Sequence, residues 1–161
     1  MTKQAKQRLL TSLYNHLRRK HPNWSEQECR NFVFYTKTDT TANGLTSCIV
    51  DFLRWEGWQA ERINTTGLAR EKFTIDPLTG RRIKSIGITW TPTTGTRGSA
   101  DISATIAGRS VKIEVKVGQD RQSDAQRQYE EAVTSAGGVY IIARDFAGFL
   151  VWYDEFIASL R

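Results

Sequence analysis

Across residues 3–20 the apolar positions Leu9, Leu10, Leu13, Tyr14 and Leu17 recur three and four apart, which predicts an amphipathic helix with one apolar stripe against a basic back. His21-Pro22-Asn23 breaks it. Ser25 and Glu28 have the spacing of a capping box and open a second short helix through Phe32, Val33 and Phe34. The polar run 36–43 reads as a linker. Residues 1–40 are therefore expected to form an N-terminal helical extension, and residues 41–161 the core domain.

The core domain opens with a helix on which Leu45, Ile49, Phe52 and Leu53 share one face and which Gly57 stops. "WQAERI" is a short strand. "EKFTIDPLTGRRIKSIGITW" reads as a hairpin turning at Asp76-Pro77-Leu78-Thr79-Gly80. A polar loop, "TPTTGTRG", follows. Beyond it "GSADISATIAGRSVKIEVK" reads as a second hairpin. Ser123 caps a helix whose buried stripe is expected to be Tyr129, Ala132, Val133 and Ala136, and Gly137-Gly138 ends it. "VYIIAR" is apolar enough for a buried central or parallel strand. Asp145 caps a last helix bearing Phe146, Phe149, Leu150, Tyr153, Phe156, Ile157 and Leu160. The order α-β-β-β-β-β-α-β-α predicts an α/β fold, a mixed central sheet flanked by helices.

The second hairpin sorts its residues by face. Asp101, Ser103 and Thr105 alternate with Ile102, Ala104 and Ile106, and Lys112, Glu114 and Lys116 alternate with Ile113, Val115 and Val117. A two-residue turn at Ala107-Gly108 puts Ile106 opposite Arg109 and Asp101 opposite Glu114. Directly opposed side chains have Cβ atoms about 5 Å apart, so two carboxylates there repel unless a cation joins them. Two readings fit this spacing. One is an ordinary half-exposed hairpin in which Lys112 and Lys116 neutralise Glu114, and spacing alone favours it. The other is a hard-metal site, with Asp101, Glu114 and the Val115 carbonyl as oxygen donors for Mg²⁺ or Mn²⁺. Lys116 then lies beside the attacking water and the scissile phosphate, to orient or deprotonate the water and to offset charge.

Composition narrows the setting. The 161 residues, 39% hydrophobic and 25% charged, suit one globular domain with an appendage. No leader-like segment and no apolar run near ~18 residues is present, so a soluble cytoplasmic protein with no membrane partner is expected. Cys29 and Cys48 read as buried free thiols rather than zinc ligands, and His16 and His21 as surface residues. The net charge of +6 favours polyanionic partners. Lys3, Lys6, Arg8, Arg18, Arg19 and Lys20 all precede the first acidic residue, Glu26, as either a solvated helix face or a nucleic-acid arm. Neither a GxxxxGK[ST] loop nor a GxGxxG turn occurs, so nucleotide hydrolysis and dinucleotide binding lack support. Trp55, Trp58 and Trp152 read as packing residues, whereas Trp90 is a candidate for stacking on a base.

"TRGSADI", "IEVKVG", "SDAQRQY" and "GGVYIIARDFAGF", in that order, resemble the VRR-NUC branch of the PD-(D/E)XK nuclease superfamily, related to Holliday-junction-resolvase-like nucleases. The resemblance covers about residues 42–156. It implies a restriction-endonuclease-like core and a Mg²⁺- or Mn²⁺-dependent endonuclease of DNA repair or recombination, acting on branched or duplex DNA, with a homodimer among its states. It further implies Asp101 and Glu114 as metal ligands, Lys116 as the catalytic lysine and Gln126 as the glutamine that follows them. The helical position of Gln126, one turn before Tyr129, independently turns it inward. Arg62, Arg97, Lys112, Arg121 and Arg127 are the candidate phosphate contacts. Two departures stand out. Ala100 replaces the family's proline, and Asn43 or Thr46 stands where an acidic residue of the first core helix is common, with Asp51 and Glu56 too far along. The second departure leaves open one-metal catalysis or a catalytically degenerate nucleic-acid-binding protein. A protein-interaction module using the N-terminal helices is a third reading.

Overall fold

The computed structural model describes residues 1–63, 68–91 and 96–161. In chain order the elements are α1 (Lys3–Lys20), α2 (Glu26–Asn31), α3 (Ala42–Glu56), β1 (Gln59–Arg62), β2 (Leu68–Ile75), β3 (Arg82–Thr91), β4 (Ile102–Ile106), β5 (Arg109–Val115), α4 (Asp124–Ser135), β6 (Val139–Ala143) and α5 (Phe146–Ser159). The chain divides into two compact units, residues 64–97 and the remainder.

The larger unit is a mixed four-stranded sheet, in the order β1-β4-β5-β6, flanked by helices. β1, β4 and β5 are antiparallel, and β6 runs parallel to β5. Ile102, Ala104, Ile106, Val111, Ile113 and Val115 form the apolar face of the sheet, packed into a core with Leu45, Ile49, Phe52 and Leu53 of α3 and Phe146, Phe149 and Tyr153 of α5. Phe52 meets Phe146, Phe149 and Tyr153 edge-on. The Trp58 indole N–H donates to the Tyr153 hydroxyl at 2.8 Å, tying the start of β1 to α5. Trp55 and Trp152 also pack against this core. Cys29 and Cys48 are buried free thiols.

The smaller unit contains the β2–β3 antiparallel hairpin, with a register irregularity between Glu71 and Phe73. Asp76 builds its turn: one carboxylate oxygen accepts from the Leu78 N–H at 2.9 Å, and Gly80 completes the turn at a φ of +66°. The two strands form a sheet of their own, so the single run of strands read from the sequence resolves into two sheets.

Ala5 and Leu9 of α1 belong to the same core as α3, and the unit boundary falls after Ile63 rather than near residue 40. The run 36–43 is anchored: Asp39 is buried and accepts from the Phe146 N–H at 3.1 Å, and Lys37 pairs with Asp51 at 2.9 Å. α2 has the expected capping box of Ser25 and Glu28 but ends at Asn31, leaving Phe32 and Phe34 exposed. β6 is parallel as expected, yet it lies at the sheet edge. α4 has no fully buried residue; Tyr129 and Val133 are half-buried, and Ala132 and Ala136 face solvent. The expected four-residue stripe is therefore wrong. α4 covers the polar face of the sheet, where it meets side chains such as Glu114 and Tyr140 rather than an apolar layer. No helix among the described residues is long and apolar enough to cross a membrane.

Candidate metal and catalytic site

The β4–β5 turn sets the geometry of the site. Ala107 and Gly108 both have positive φ, +48° and +77°, the conformation of a two-residue turn whose twist matches the flanking strands. The recorded register pairs Ile106 with Arg109 and runs to Ile102 opposite Ile113. One residue further on, Asp101 falls beside Glu114, and Asp101 Oδ2 accepts from the Val115 N–H at 2.9 Å. Glu114 and Lys116 follow each other on the same side of β5.

This is not the half-exposed hairpin that spacing favoured. Glu114 is only 2% exposed and Lys116 6%. α4 reaches the site through Gln126. Gln126 Nε2 donates to Glu114 Oε1, while its own Oε1 accepts from the Ser123 N–H at 2.9 Å as part of the α4 capping box. Lys116 Nζ lies 3.1 Å from Glu114 Oε1 and 3.3 Å from Asp120 Oδ2. Glu114 Oε2 is buried with no hydrogen-bond partner among the described residues.

The electrostatics follow from this enclosure. Burial, then the neighbouring Asp101 charge, pushes the Glu114 carboxyl up to about 7, although Lys116 pulls against them. Burial works to lower Lys116, but its contacts with Glu114 and Asp120 outweigh it and hold the ammonium above its usual value. In the metal-free protein Lys116 is therefore a fixed cation rather than a ready base.

The donor set suits a hard divalent cation: two carboxylates and a backbone carbonyl supply oxygens only, and one buried carboxylate oxygen lacks a partner among the described residues. The set is small. No group of three or more His, Cys, Asp or Glu suited to hold a metal occurs among the described residues. The neutral and acidic side chains that the sequence offers on α3 are engaged elsewhere. Asn43 accepts from Arg62, Thr46 donates to the Ala42 carbonyl, Asp51 accepts from the Tyr35 hydroxyl, and Glu56 accepts from Ser12.

Of the expected phosphate contacts, Arg121 has no partner among the described residues. It lines a hollow of about 560 Å³ with Gln119, Asp120 and Arg144. Lys112 shares the Glu114 face but donates to Ser103 at 2.6 Å. Arg127 is held by Asp124 and the Gln122 carbonyl. Arg62 shares a register row with Ile102 and Ile113, on the opposite side of the sheet from Glu114, and is bonded to Asn43 at 2.6 Å. Arg97 is exposed at the end of the smaller unit. The Trp90 side chain and residues 92–95 of the "TPTTGTRG" loop lie outside the described residues.

Asp120 and Arg144 were not singled out from the sequence. A usable signal existed for Arg144: it directly follows the strand parallel to β5, and the carboxyl ends of parallel strands are where ligand sites collect. No protein-family model matches the chain, and no curated protein is detectably similar to it.

Proposed function

We propose that this chain is a divalent-metal-dependent DNA phosphodiesterase, an endonuclease with a restriction-endonuclease-like core of the VRR-NUC type. The observation that carries this reading is Glu114: a carboxylate buried beside Asp101, with one oxygen shared by Lys116 and Gln126 and the other without a partner among the described residues. A buried carboxylate oxygen is costly to leave without a partner, and a bound metal cation would supply one beyond what Lys116 provides. Asp101, Glu114 and the Val115 carbonyl would hold Mg²⁺ or Mn²⁺, which supplies Lewis-acid polarisation of a phosphoryl oxygen and a more acidic water. Lys116, kept charged, stabilises the negative charge that builds on the phosphate. Gln126 orients Glu114 and holds α4 over it. The basic first helix adds affinity without reading sequence.

The test is cleavage of branched, single-stranded and duplex DNA with Mg²⁺ and with Mn²⁺, comparing the parent with Asp101→Ala and Glu114→Ala. Metal-dependent cleavage lost in both variants supports the reading; equal cleavage by parent and variants ends it. A second reading is a nucleic-acid-binding protein that keeps the fold without hydrolysis. It draws on the neutral Asn43 and Thr46 and on the two-carboxylate donor set. Oligonucleotide binding with no Mn²⁺ binding and no cleavage would favour it.

A further inference from the structure

Two features of the chain converge where β5 and β6 end. These strands are parallel, so their carboxyl ends lie side by side, and the Lys116 N–H donates to the Ala143 carbonyl at 2.9 Å. The next residues on each strand therefore face a common opening: the segment carrying Gln119, Asp120 and Arg121 on one side, Arg144 on the other. Arg121 and Arg144 are both exposed, and neither has a hydrogen-bond or ion-pair partner among the described residues. The single carboxylate in the hollow, Asp120, is turned to Lys116 Nζ at 3.3 Å. The opening thus presents two free guanidiniums at its rim and a buried ammonium behind one exchangeable carboxylate. That is the arrangement of an anion site, and guanidiniums match phosphate oxygens in a two-point fork.

We propose that Arg121 and Arg144 form a phosphate subsite for the nucleotide next to the scissile bond, and that Asp120 is the resident anion which an incoming phosphodiester displaces from Lys116. The proposal rests on the phosphodiesterase reading only for which phosphate of the strand is meant. The Asp120–Lys116 pair is poised for such exchange, because Asp120 is more than half exposed whereas Lys116 is buried and keeps Glu114 as a second partner.

The test is fluorescence anisotropy with labelled single-stranded and duplex oligonucleotides in EDTA, where no cleavage intervenes, on Arg121→Ala, Arg144→Ala, the double variant and Asp120→Asn. Arg109→Ala is the charge-matched control, at the far end of β5, about 20 Å from Lys116. Each arginine variant is expected to weaken binding about fivefold to tenfold and to lower the salt slope by about one, with the control unchanged. Asp120→Asn is expected to tighten binding. A double variant that binds like the parent, or an Asp120→Asn that binds no better, overturns the subsite. So does inorganic phosphate protecting the parent from thermal unfolding as well as the oligonucleotides do, which would assign the hollow to a small free anion. Failure of the nuclease reading shows differently. A parent that binds in EDTA with the arginine dependence above, but never cleaves with Mn²⁺, sinks hydrolysis and keeps the subsite. A parent that cleaves with the same KM as the double variant sinks the subsite and keeps hydrolysis.

Discussion

Gln126 joins two tasks in one amide: its Nε2 donates to Glu114 Oε1, and its Oε1 accepts from the N–H of Ser123, the residue that caps α4. The start of the helix and the orientation of the buried carboxylate are therefore set together. Gln126→Ala is expected to cost about 1 kcal/mol through the lost cap and to lower metal-dependent cleavage by roughly 10- to 100-fold. Gln126→Glu separates the tasks, since glutamate also closes a capping box but sets a further carboxylate against Glu114. Its melting temperature should fall in EDTA and recover with Mn²⁺ by more than the parent's rises. Parallel responses of parent and variant in calorimetry would refute the coupling.

Lys116 and Glu114 are both buried, so each neutralises a charge the other would otherwise leave exposed to a low-dielectric surrounding. Lys116→Met should destabilise the metal-free protein by about 3 kcal/mol and abolish cleavage. Adding Glu114→Gln should restore most of that stability and none of the activity. Urea denaturation of the four proteins of the cycle measures the coupling; additive losses would show that the pair does not act as a unit.

The raised Glu114 carboxyl carries a pH signature. In the folded, metal-free protein it titrates at about 7, against 4.5 for an ordinary glutamate. Between those values the folded state binds more protons than the unfolded chain, so stability falls as pH rises through that window. Glu114→Gln removes this contribution. In EDTA the variant should therefore gain stability over the parent on going from below pH 4.5 to above pH 7, read as melting temperature. A parent–variant difference that stays constant across the window would contradict the shift.

Gly98 meets the first turn of α4 at a φ of +81°, and a Cβ built there would overlap the Ala125 carbonyl. Gly98→Ala therefore combines an unfavourable backbone conformation with a backbone clash. It should cost about 1–3 kcal/mol. Because the clash bears on Ala125 and the Gln126 N–H, cleavage should drop along with stability, unlike the effect of Gly57→Ala, where a Cβ would meet open space. Matched melting and activity losses in the two variants would remove the argument.

Local signals carried most of the architecture. The Ala107-Gly108 turn fixed the β4–β5 register, and with it the meeting of Asp101 and Glu114, because side-chain direction alternates strictly along a strand. The Ser25 and Ser123 caps were legible from residue type and spacing alone. What escaped depended on contacts distant in sequence. Burial of Glu114 and Lys116 could not be read from an alternating strand, since alternation does not say what packs on the polar face, where Gln126 of α4 meets Glu114. The same contact explains why the α4 stripe was misjudged: its period was right, but the surface opposite is polar. Lys112 and Arg127 are charged residues at plausible phosphate positions, but Ser103 and Asp124 hold them, contacts the sequence does not show. Arg144 follows the strand expected to be parallel, but its place beside Arg121 depends on strand order, which the sequence does not give.

Alone among the helices of the described residues, α4 has no fully buried residue. Its grip on the sheet is a handful of partly wetted contacts, Tyr129 against Tyr140 and Gln126 on Glu114 among them. Amide hydrogens of residues 128–135 should accordingly exchange with deuterium well before those of α3 or α5, at a free-energy cost far below global unfolding. On the proposed reading, the roof over Glu114 would lift by itself while the floor stays intact, a way in for substrate that spares the rest of the fold.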